Sequence, residues 1–186
     1  MLRGRHARVA TATAAALAAA LVAAGLALAG HEHNPGHGHN AVAKVLVLDD
    51  CEPVSFNHVL GPDACVGHGT TTFGQFIEQL ETLKNAPAWR FDPSELGLAT
   101  GGRIRAANLG GEFHTFTEVV AFGGGCVDEL NAILGLTPVP ECANPSVFET
   151  TGLGPGEKLK TGPLAAGTHR FLCLIHPWMR TTATVG

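Results

Sequence analysis

The sequence FLCLIHPWMR, residues 171–180, gathers three potential metal ligands within seven residues: Cys173, His176 and Met179. Met179 is the only methionine after the initiator, so its position six residues after a cysteine argues against chance. The Cys-x-x-His-x-x-Met spacing allows one turn beyond a strand to face all three side chains toward one ion. Pro177, whose φ is restricted, stiffens that turn. The stretch therefore predicts a metal site on a short loop that follows a strand ending near Cys173.

A fourth ligand has to come from elsewhere in the chain. The candidates are the other histidines: His58, His68, His114, His169 and those of residues 31–40. His114 is favoured, because it lies at the end of a predicted strand just after the Gly-Gly turn of NLGGEFHTFTEV, and adjacent strands could bring its ring to the loop. His169 is disfavoured, because it precedes Cys173 on the same strand by four residues, about 13 Å of extended chain.

The ligand types favour copper. Thiolate and thioether are soft ligands suited to copper, imidazole binds both copper oxidation states, and two His, one Cys and a weak axial Met form the blue-copper arrangement. Zinc would accept Cys and His but gains nothing from a thioether. A catalytic Cys/His pair would lack an obvious orienting Asp or Asn and would leave Met179 unexplained.

Residues 1–29 have the pattern of an export signal. Three arginines and no acidic residue precede an Ala/Leu/Val-rich run that ends in Ala27-Leu28-Ala29, which predicts cleavage near Gly30. The alternative is an uncleaved membrane anchor, because the run is about long enough to span a bilayer. We therefore expect a periplasmic or secreted protein, with membrane attachment only if the segment is retained.

Residues 30–40 are interpreted as a His-rich linker. The stretch HEHNPGHGHN has four histidines with Gly and Pro and no apolar periodicity, so it is either a loose metal-binding tract or a solvated spacer. Cleavage would leave nine Lys/Arg and sixteen Asp/Glu, a formal charge of −7. This acidic balance lacks the basic surface of a nucleic-acid binder, so nucleic acid is excluded as a partner.

The five cysteines are an odd number, so at least one stays unpaired in an oxidising compartment. Pairing between sequence neighbours predicts the disulfides Cys51–Cys65 and Cys126–Cys142 and leaves Cys173 free. Four paired cysteines allow three connectivities, so other pairings stay open.

The remaining pattern predicts a β-sandwich over residues 41–186. Residues 41–48 alternate like a strand, and from Trp89 onward short strands are separated by Gly and Pro turns. Two cysteine-bounded inserts interrupt them, at about 51–87 and 123–145. The first is expected to contain an irregular loop over 51–69 and then a helix, with a Thr72/Gln75 capping box and a stop near Pro87.

The segments GTHRFLCLIHPWM and GGEFHTFTEV resemble the cupredoxins, small blue-copper proteins, and the ligand loop is most similar to that of the amicyanin and plastocyanin type. The resemblance covers roughly residues 88–186, with 41–48 as a first strand. It implies an all-β Greek-key β-sandwich, here with one or two short helical insertions, and one-electron transfer. Carried over by position, it makes four residues the copper ligands: His114, Cys173, His176 and Met179.

The chain departs from the cupredoxin pattern at three places. His169 replaces the usual aromatic residue before the Cys strand, and Thr115 stands where an Asn is often found near the sulfur. The two cysteine-bounded inserts are additional, and they bear on the choice of partner.

These observations predict an exported type 1 copper protein that carries one electron at a time, is not an enzyme and is a monomer. A copper-binding or copper-delivery protein is the alternative, suggested by the linker. A copper nitrite reductase would need a further copper site and usually a second domain. Redox protein partners are expected to dock at the His176 loop, where four apolar neighbours would form an exposed patch unless Ile175 and Trp178 pack inward: Leu174, Ile175, Pro177 and Trp178.

Overall fold

The computed structural model describes residues 41–186. The predicted signal over 1–29 and the predicted linker over 30–40 therefore lie outside the described residues. Within residues 41–186, no helix has the length and apolar character needed to cross a bilayer.

The first sheet has four strands. β1 (Val42–Leu48) pairs in parallel with β4 (Arg103–Asn108) and antiparallel with β2 (Arg90–Asp92), while β8 (Lys158–Lys160) pairs antiparallel with β4. The predicted first strand is confirmed, because Val45 and Val47 point into the core at alternating positions. In spatial order the strands are β2, β1, β4 and β8.

The second sheet also has four strands and contains the C-terminus. β10 (Arg180–Val185) pairs in parallel with β3 (Glu95–Leu98) and antiparallel with β9 (Gly167–Leu172), and β9 pairs antiparallel with β6 (Thr117–Val119). In spatial order they are β3, β10, β9 and β6. A two-stranded pair, β5 (His114–Thr115) with β7 (Gly152–Leu153), lies beside them.

The predicted β-sandwich is confirmed, because inward-facing side chains of both sheets form one core. The rings of Phe116 and Phe171 stack with their centroids 4.4 Å apart, and Phe91 from the first sheet meets Phe116 edge-on at 5.1 Å. Val45 and Ala183 join this cluster from opposite sheets. Burial of such apolar surface is the main stabilising contribution to a sandwich of this kind.

The first insert contains two helices rather than one. Residues 51–69 were predicted to be an irregular loop, and this is wrong, because they contain α1 (Pro53–Leu60). The Glu52 carboxylate caps α1 by accepting hydrogen bonds from the amides of Val54 and Ser55. The second helix, α2 (Phe73–Leu83), has the predicted Thr72/Gln75 capping box.

Both inserts contain helices, as expected, and one further short helix follows the second insert. After the helices of the first insert come α3 (Asp128–Leu134), a 3-10 turn (Pro140–Ala143) and α4 (Val147–Thr151). The second insert therefore contains a full α-helix. Asn131 ties α3 to the chain before it by accepting the Gly125 amide and donating to the Gly125 carbonyl.

Both predicted disulfides are present in the structure. Cys51 pairs with Cys65, and Cys126 pairs with Cys142. Cys173 is a free thiol with no exposed surface.

Candidate metal centre

The end of the sandwich at the C-terminus of β9 assembles the predicted ligands. Cys173 directly follows β9, and the loop after it is closed by two backbone hydrogen bonds, from Cys173 to the Met179 carbonyl at 3.1 Å and from Met179 to the His176 carbonyl at 2.9 Å. The pairing of Thr117 with Leu172 aligns the segment that follows His114 with the strand before Cys173. Long-range strand pairing thus brings residues about sixty positions apart together.

Three predicted ligands present their metal-binding atoms to one another. Cys173 Sγ lies 3.8 Å from His114 Nδ1 and 3.8 Å from His176 Nδ1, and the two Nδ1 atoms are 3.2 Å apart. All three side chains are buried. A single ion between them would be reached by one sulfur and two imidazole nitrogens.

The fourth predicted ligand, Met179, is fully buried at the end of the same loop. Its backbone bonds to Cys173 and His176, described above, hold it beside the other two loop residues. The disfavoured candidate His169 lies elsewhere, paired with Glu118 at 2.6 Å on the surface of β9 and β6. His58 and His68 are exposed and outside the group.

The charges of the site favour a thiolate. Burial alone would raise the pKa of the Cys173 thiol, but hydrogen bonds and charge from His114 and His176 lower it well below the ordinary value. Burial would likewise lower the pKa of His114, but its hydrogen bonds to Asp49 and Cys173 raise it to about 9. These shifts favour a Cys173 thiolate beside a protonated His114 ring.

Asp49 is a functional residue that the sequence reasoning missed. Its Oδ2 atom lies 2.9 Å from Nε2 of His114, and the two side chains are 1% and 0% exposed. The amides of Gly111 and Glu112 donate to the same carboxylate at 2.9 Å and 3.1 Å. Burial would raise the pKa of Asp49, but the bond to His114, its charge and these amides lower it to about 2. The available signal was an acidic residue directly after the first strand.

Glu112 occupies the corresponding place beside His176. Its Oε2 atom is 3.9 Å from Nε2 of His176, and it accepts a short hydrogen bond from the Trp89 indole. Glu112 is 6% exposed, and burial raises its pKa despite the favourable charge of His176. Each imidazole therefore faces the sulfur through Nδ1 and a carboxylate through Nε2.

Thr115, which stands where an Asn is often found in cupredoxins, makes its own contacts with the Cys173 sulfur and loop. Its amide points at Cys173 Sγ at 3.5 Å, and its hydroxyl accepts the Leu174 amide at 2.8 Å. The hydroxyl of Thr117 donates to Thr115 at 3.1 Å. Thr115 therefore joins the His114 strand to the Cys173 loop twice, through its amide to the sulfur and through its hydroxyl to the Leu174 amide.

The predicted exposed patch at the His176 loop is wrong. His176 is 3% exposed, Leu174 has no exposed surface, and Pro177 is also buried. The physical reason is the first insert, because Phe76 of α2 lies edge-on to the His176 ring with centroids 6.2 Å apart. Trp178 also packs against the His176 ring, with the ring centroids 5.3 Å apart, so it packs inward as the alternative to an exposed patch expected.

A largely apolar groove reaches this covered ring. It has a volume of about 370 Å³ and is lined by residues of α1, α2 and α3. Leu60 of α1 and Ile133 of α3 line it together with Glu112 and His176. The groove is therefore the place where both inserts and the metal centre meet.

The donor set fits copper. One free sulfur and two imidazole Nδ1 atoms converge, and a buried thioether lies on the same loop. This is a soft donor set suited to Cu(I) and Cu(II). The Nε2 atom of His114 is hydrogen-bonded to Asp49, whereas the Nε2 atom of His176 has Glu112 at 3.9 Å. A second acidic cluster, Asp49 with Cys51 and Glu112, does not offer a thiolate, because Cys51 is in a disulfide. Those carboxylates act instead on the histidines.

No protein-family model matches the chain, and the search of curated proteins found no match. Among solved structures, the chain is similar to a purple cupredoxin from Nitrosopumilus maritimus, with 14% identity and a TM-score of 0.43 over 77% of this chain and 99% of that one. It is similar to oxidised plastocyanin from Dryopteris crassirhizoma, with 18% identity and a TM-score of 0.36 over 77% of this chain and 100% of that one. An amicyanin variant in its Cu(I) form matches at 18% identity and a TM-score of 0.33, over 52% and 73% of the two chains. These similarities concern the fold, and they involve cupredoxins, the family that the ligand loop resembles.

Proposed function

We propose that this protein binds one copper ion and carries single electrons as the ion alternates between Cu(I) and Cu(II). The observation that carries the proposal is the convergence of the free Cys173 sulfur with the Nδ1 atoms of His114 and His176, 3.2–3.8 Å apart. Met179 would act as the weak axial ligand. Bound copper would supply the redox couple, and the protein's own residues would hold its geometry.

Rigidity of the ligands supports a role in electron transfer. His114 is held by Asp49, and Cys173 by the amide of Thr115 and the bond to the Met179 backbone. A site whose ligands move little between the two copper states transfers electrons with little reorganisation. Because His114 and Cys173 are fully buried, a substrate could not reach either side chain, which favours a carrier over an enzyme.

Burial also favours a carrier over a copper-delivery protein. Delivery requires an acceptor to replace ligands one by one, yet the sulfur of Cys173 is fully buried and His176 is 3% exposed. The motif that suggested delivery, the histidines of residues 31–39, lies outside the described residues. A carrier should retain copper through repeated oxidation and reduction.

We propose that electrons enter through the groove rather than across the loop surface. The groove is the apolar concavity that has the metal ligand His176 in its lining, and Leu60 and Ile133 form its walls. A redox protein would place an apolar side chain there, close to the ring. Exposed apolar surface of this kind marks interaction sites.

The expected location, periplasmic or secreted, remains part of the proposal. Two disulfides within residues 41–186 suit an oxidising compartment, and the N-terminal pattern suits export. We propose a monomer as the working form.

The proposal is tested by loading the purified protein with copper, cycling it repeatedly between ascorbate and ferricyanide, and then adding a Cu(I) chelator. A carrier should bind one copper per chain, return to the same potential in every cycle and release copper to the chelator only slowly. Rapid, complete release in the first reduced state would favour the delivery function instead.

A further inference from the structure

The histidine ligands share a feature that copper binding alone does not require: each has a buried carboxylate on the nitrogen that faces away from the sulfur. Asp49 Oδ2 lies 2.9 Å from Nε2 of His114, and Glu112 Oε2 lies 3.9 Å from Nε2 of His176. The side chains of these two acids are 1% and 8% exposed. Burying a carboxylate is unfavourable unless hydrogen bonds or charges compensate, so two at one centre call for an explanation.

We infer that Asp49 and Glu112 form a carboxylate shell that orients the two imidazoles and stabilises a divalent ion over a monovalent one. This inference rests on the proposed function, because it concerns the same metal site. It identifies the two acids as positioning residues that act through the rings.

Backbone amides of the turn before His114 hold the Asp49 carboxylate in place. The turn that carries Gly110 and Gly111 wraps around Asp49, and amides of Gly111 and Glu112 donate to its two oxygens. A Cβ atom at Gly110 would overlap Oδ2 of Asp49, so only glycine permits this approach. The same turn that holds Asp49 therefore also positions Glu112 and His114, which follow it directly in the sequence.

The consequence for the rings is geometric. A carboxylate that accepts the Nε2 proton leaves Nδ1 as the nitrogen available to the metal, and it makes the ring a stronger donor. The Nδ1 atoms of both rings do face Cys173 Sγ at 3.8 Å. Asp49 is in hydrogen-bond contact with its ring and Glu112 is not, so Asp49 should have the larger effect.

The consequence for the metal is electrostatic. Together with the Cys173 thiolate, the Asp49 carboxylate in contact with His114 would place negative charge near the ion, and Glu112, farther from its ring, would add less. Charges that are screened little by water act strongly on one another, so this environment should favour Cu(II) and lower the reduction potential.

The chain offers a matched control for the test. Glu118 and His169 form another carboxylate–histidine pair, 2.6 Å apart, but Glu118 is half-exposed and the pair belongs to the surface. Glu118→Gln removes the same charge from the same kind of partner without touching the metal centre. Asp49→Asn and Glu112→Gln remove charge at the centre while keeping shape and an acceptor oxygen.

The experiment measures two quantities for wild type and all three variants: the copper reduction potential and the affinity for Zn(II), which has no redox chemistry. Asp49→Asn should weaken Zn(II) binding about 10- to 100-fold. It should also shift the Cu(II)/Cu(I) affinity ratio about tenfold toward Cu(I), a rise of about 59 mV for a one-electron couple. Glu112→Gln should produce smaller shifts in the same directions, and Glu118→Gln none.

The two readouts separate this inference from the proposed function. A wild-type copper form without thiolate absorption would overturn the proposed function, while Zn(II) binding would still test the shell. A blue wild type whose potential and Zn(II) affinity are the same in Asp49→Asn, Glu112→Gln and Glu118→Gln would overturn the shell alone. If Asp49→Asn fails to fold, Glu112→Gln decides by the same comparison.

Discussion

Thr115 and Leu174 are joined across the metal centre: the Thr115 hydroxyl accepts the Leu174 amide at 2.8 Å, and both residues are completely buried. The Thr115 amide points at Cys173 Sγ, so one residue ties the His114 strand to the Cys173 loop. An Asn at this position would have offered an amide side chain, whereas the threonine uses its hydroxyl and its own backbone. The tie therefore depends on a single buried oxygen.

Thr115→Val should test this tie. The substitution keeps the shape and the backbone amide near Cys173, but it leaves the Leu174 amide without a partner, which costs about 1–3 kcal/mol. We expect the free energy of unfolding in urea to fall by that amount while the copper form stays coloured. Thr184→Val, at an exposed position on β10, is the control and should change stability little. Equal effects at the two positions would show that the Thr115 hydroxyl has no special role.

Met179→Leu should keep the thiolate colour and raise the reduction potential. The thioether is the proposed weak axial ligand, and axial ligands tune the potential of such sites. Because Met179 is fully buried and leucine has a similar volume, the stability cost should stay under about 1.5 kcal/mol. Potentiometric titration and urea unfolding measure the two effects. An unchanged potential would exclude Met179 as a ligand.

The metal-free protein should depend on Asp49 for its stability at mild pH. The pKa of Asp49 is lowered from 3.8 to about 2 in the folded chain, so its carboxylate adds stability above pH 4 and loses that contribution as the pH falls toward 2. Wild type should exceed Asp49→Asn by about 2 kcal/mol at pH 6. Urea unfolding between pH 6 and pH 2.5 should show this gap closing. A gap that does not change with pH would mean that charge at Asp49 is irrelevant to stability.

The groove can be tested without knowing the redox partner, through electron exchange between copper-loaded molecules of the protein itself. Leu60→Glu puts a charge on the groove wall, where Leu60 is 54% exposed. We expect the self-exchange rate, measured by NMR line broadening, to fall on the order of tenfold, because like charges would meet at the contact. The control is Val42→Glu on β1, 42% exposed and roughly 20 Å along the strand from Asp49. Equal slowing in both variants would place the electron port elsewhere.

The local signals in the sequence predicted much of the fold. Alternation identified the first strand, the Thr72/Gln75 capping box identified α2, and the spacing of Cys51 and Cys65 identified a disulfide. Each of these depends on residues close together along the chain. The helix α1 was missed because a glutamate cap and a helix of only eight residues give a weak signal, and the Cys51–Cys65 disulfide suggested a loop.

The features that were missed at the metal centre depend on contacts between distant residues. Asp49 meets His114 across 65 positions, and only the folding of β1 against the turn before His114 brings them together. The burial of His176 has the same origin, because Phe76 comes from an insert whose packing direction has no local signal. The loop with Cys173, His176 and Met179 could be predicted as a ligand loop from its own residues, whereas the residues that surround it could not.

The central claim, that Cys173 is a copper thiolate, is tested most directly by the visible absorption and electron paramagnetic resonance spectra of the copper-loaded protein. Wild type should show intense thiolate-to-Cu(II) charge transfer and a narrow copper hyperfine splitting. Cys173→Ser should lose both features while the two disulfides remain intact in unreduced peptide maps. A colourless wild-type copper complex, or a Cys173→Ser variant that keeps the absorption, would contradict the account.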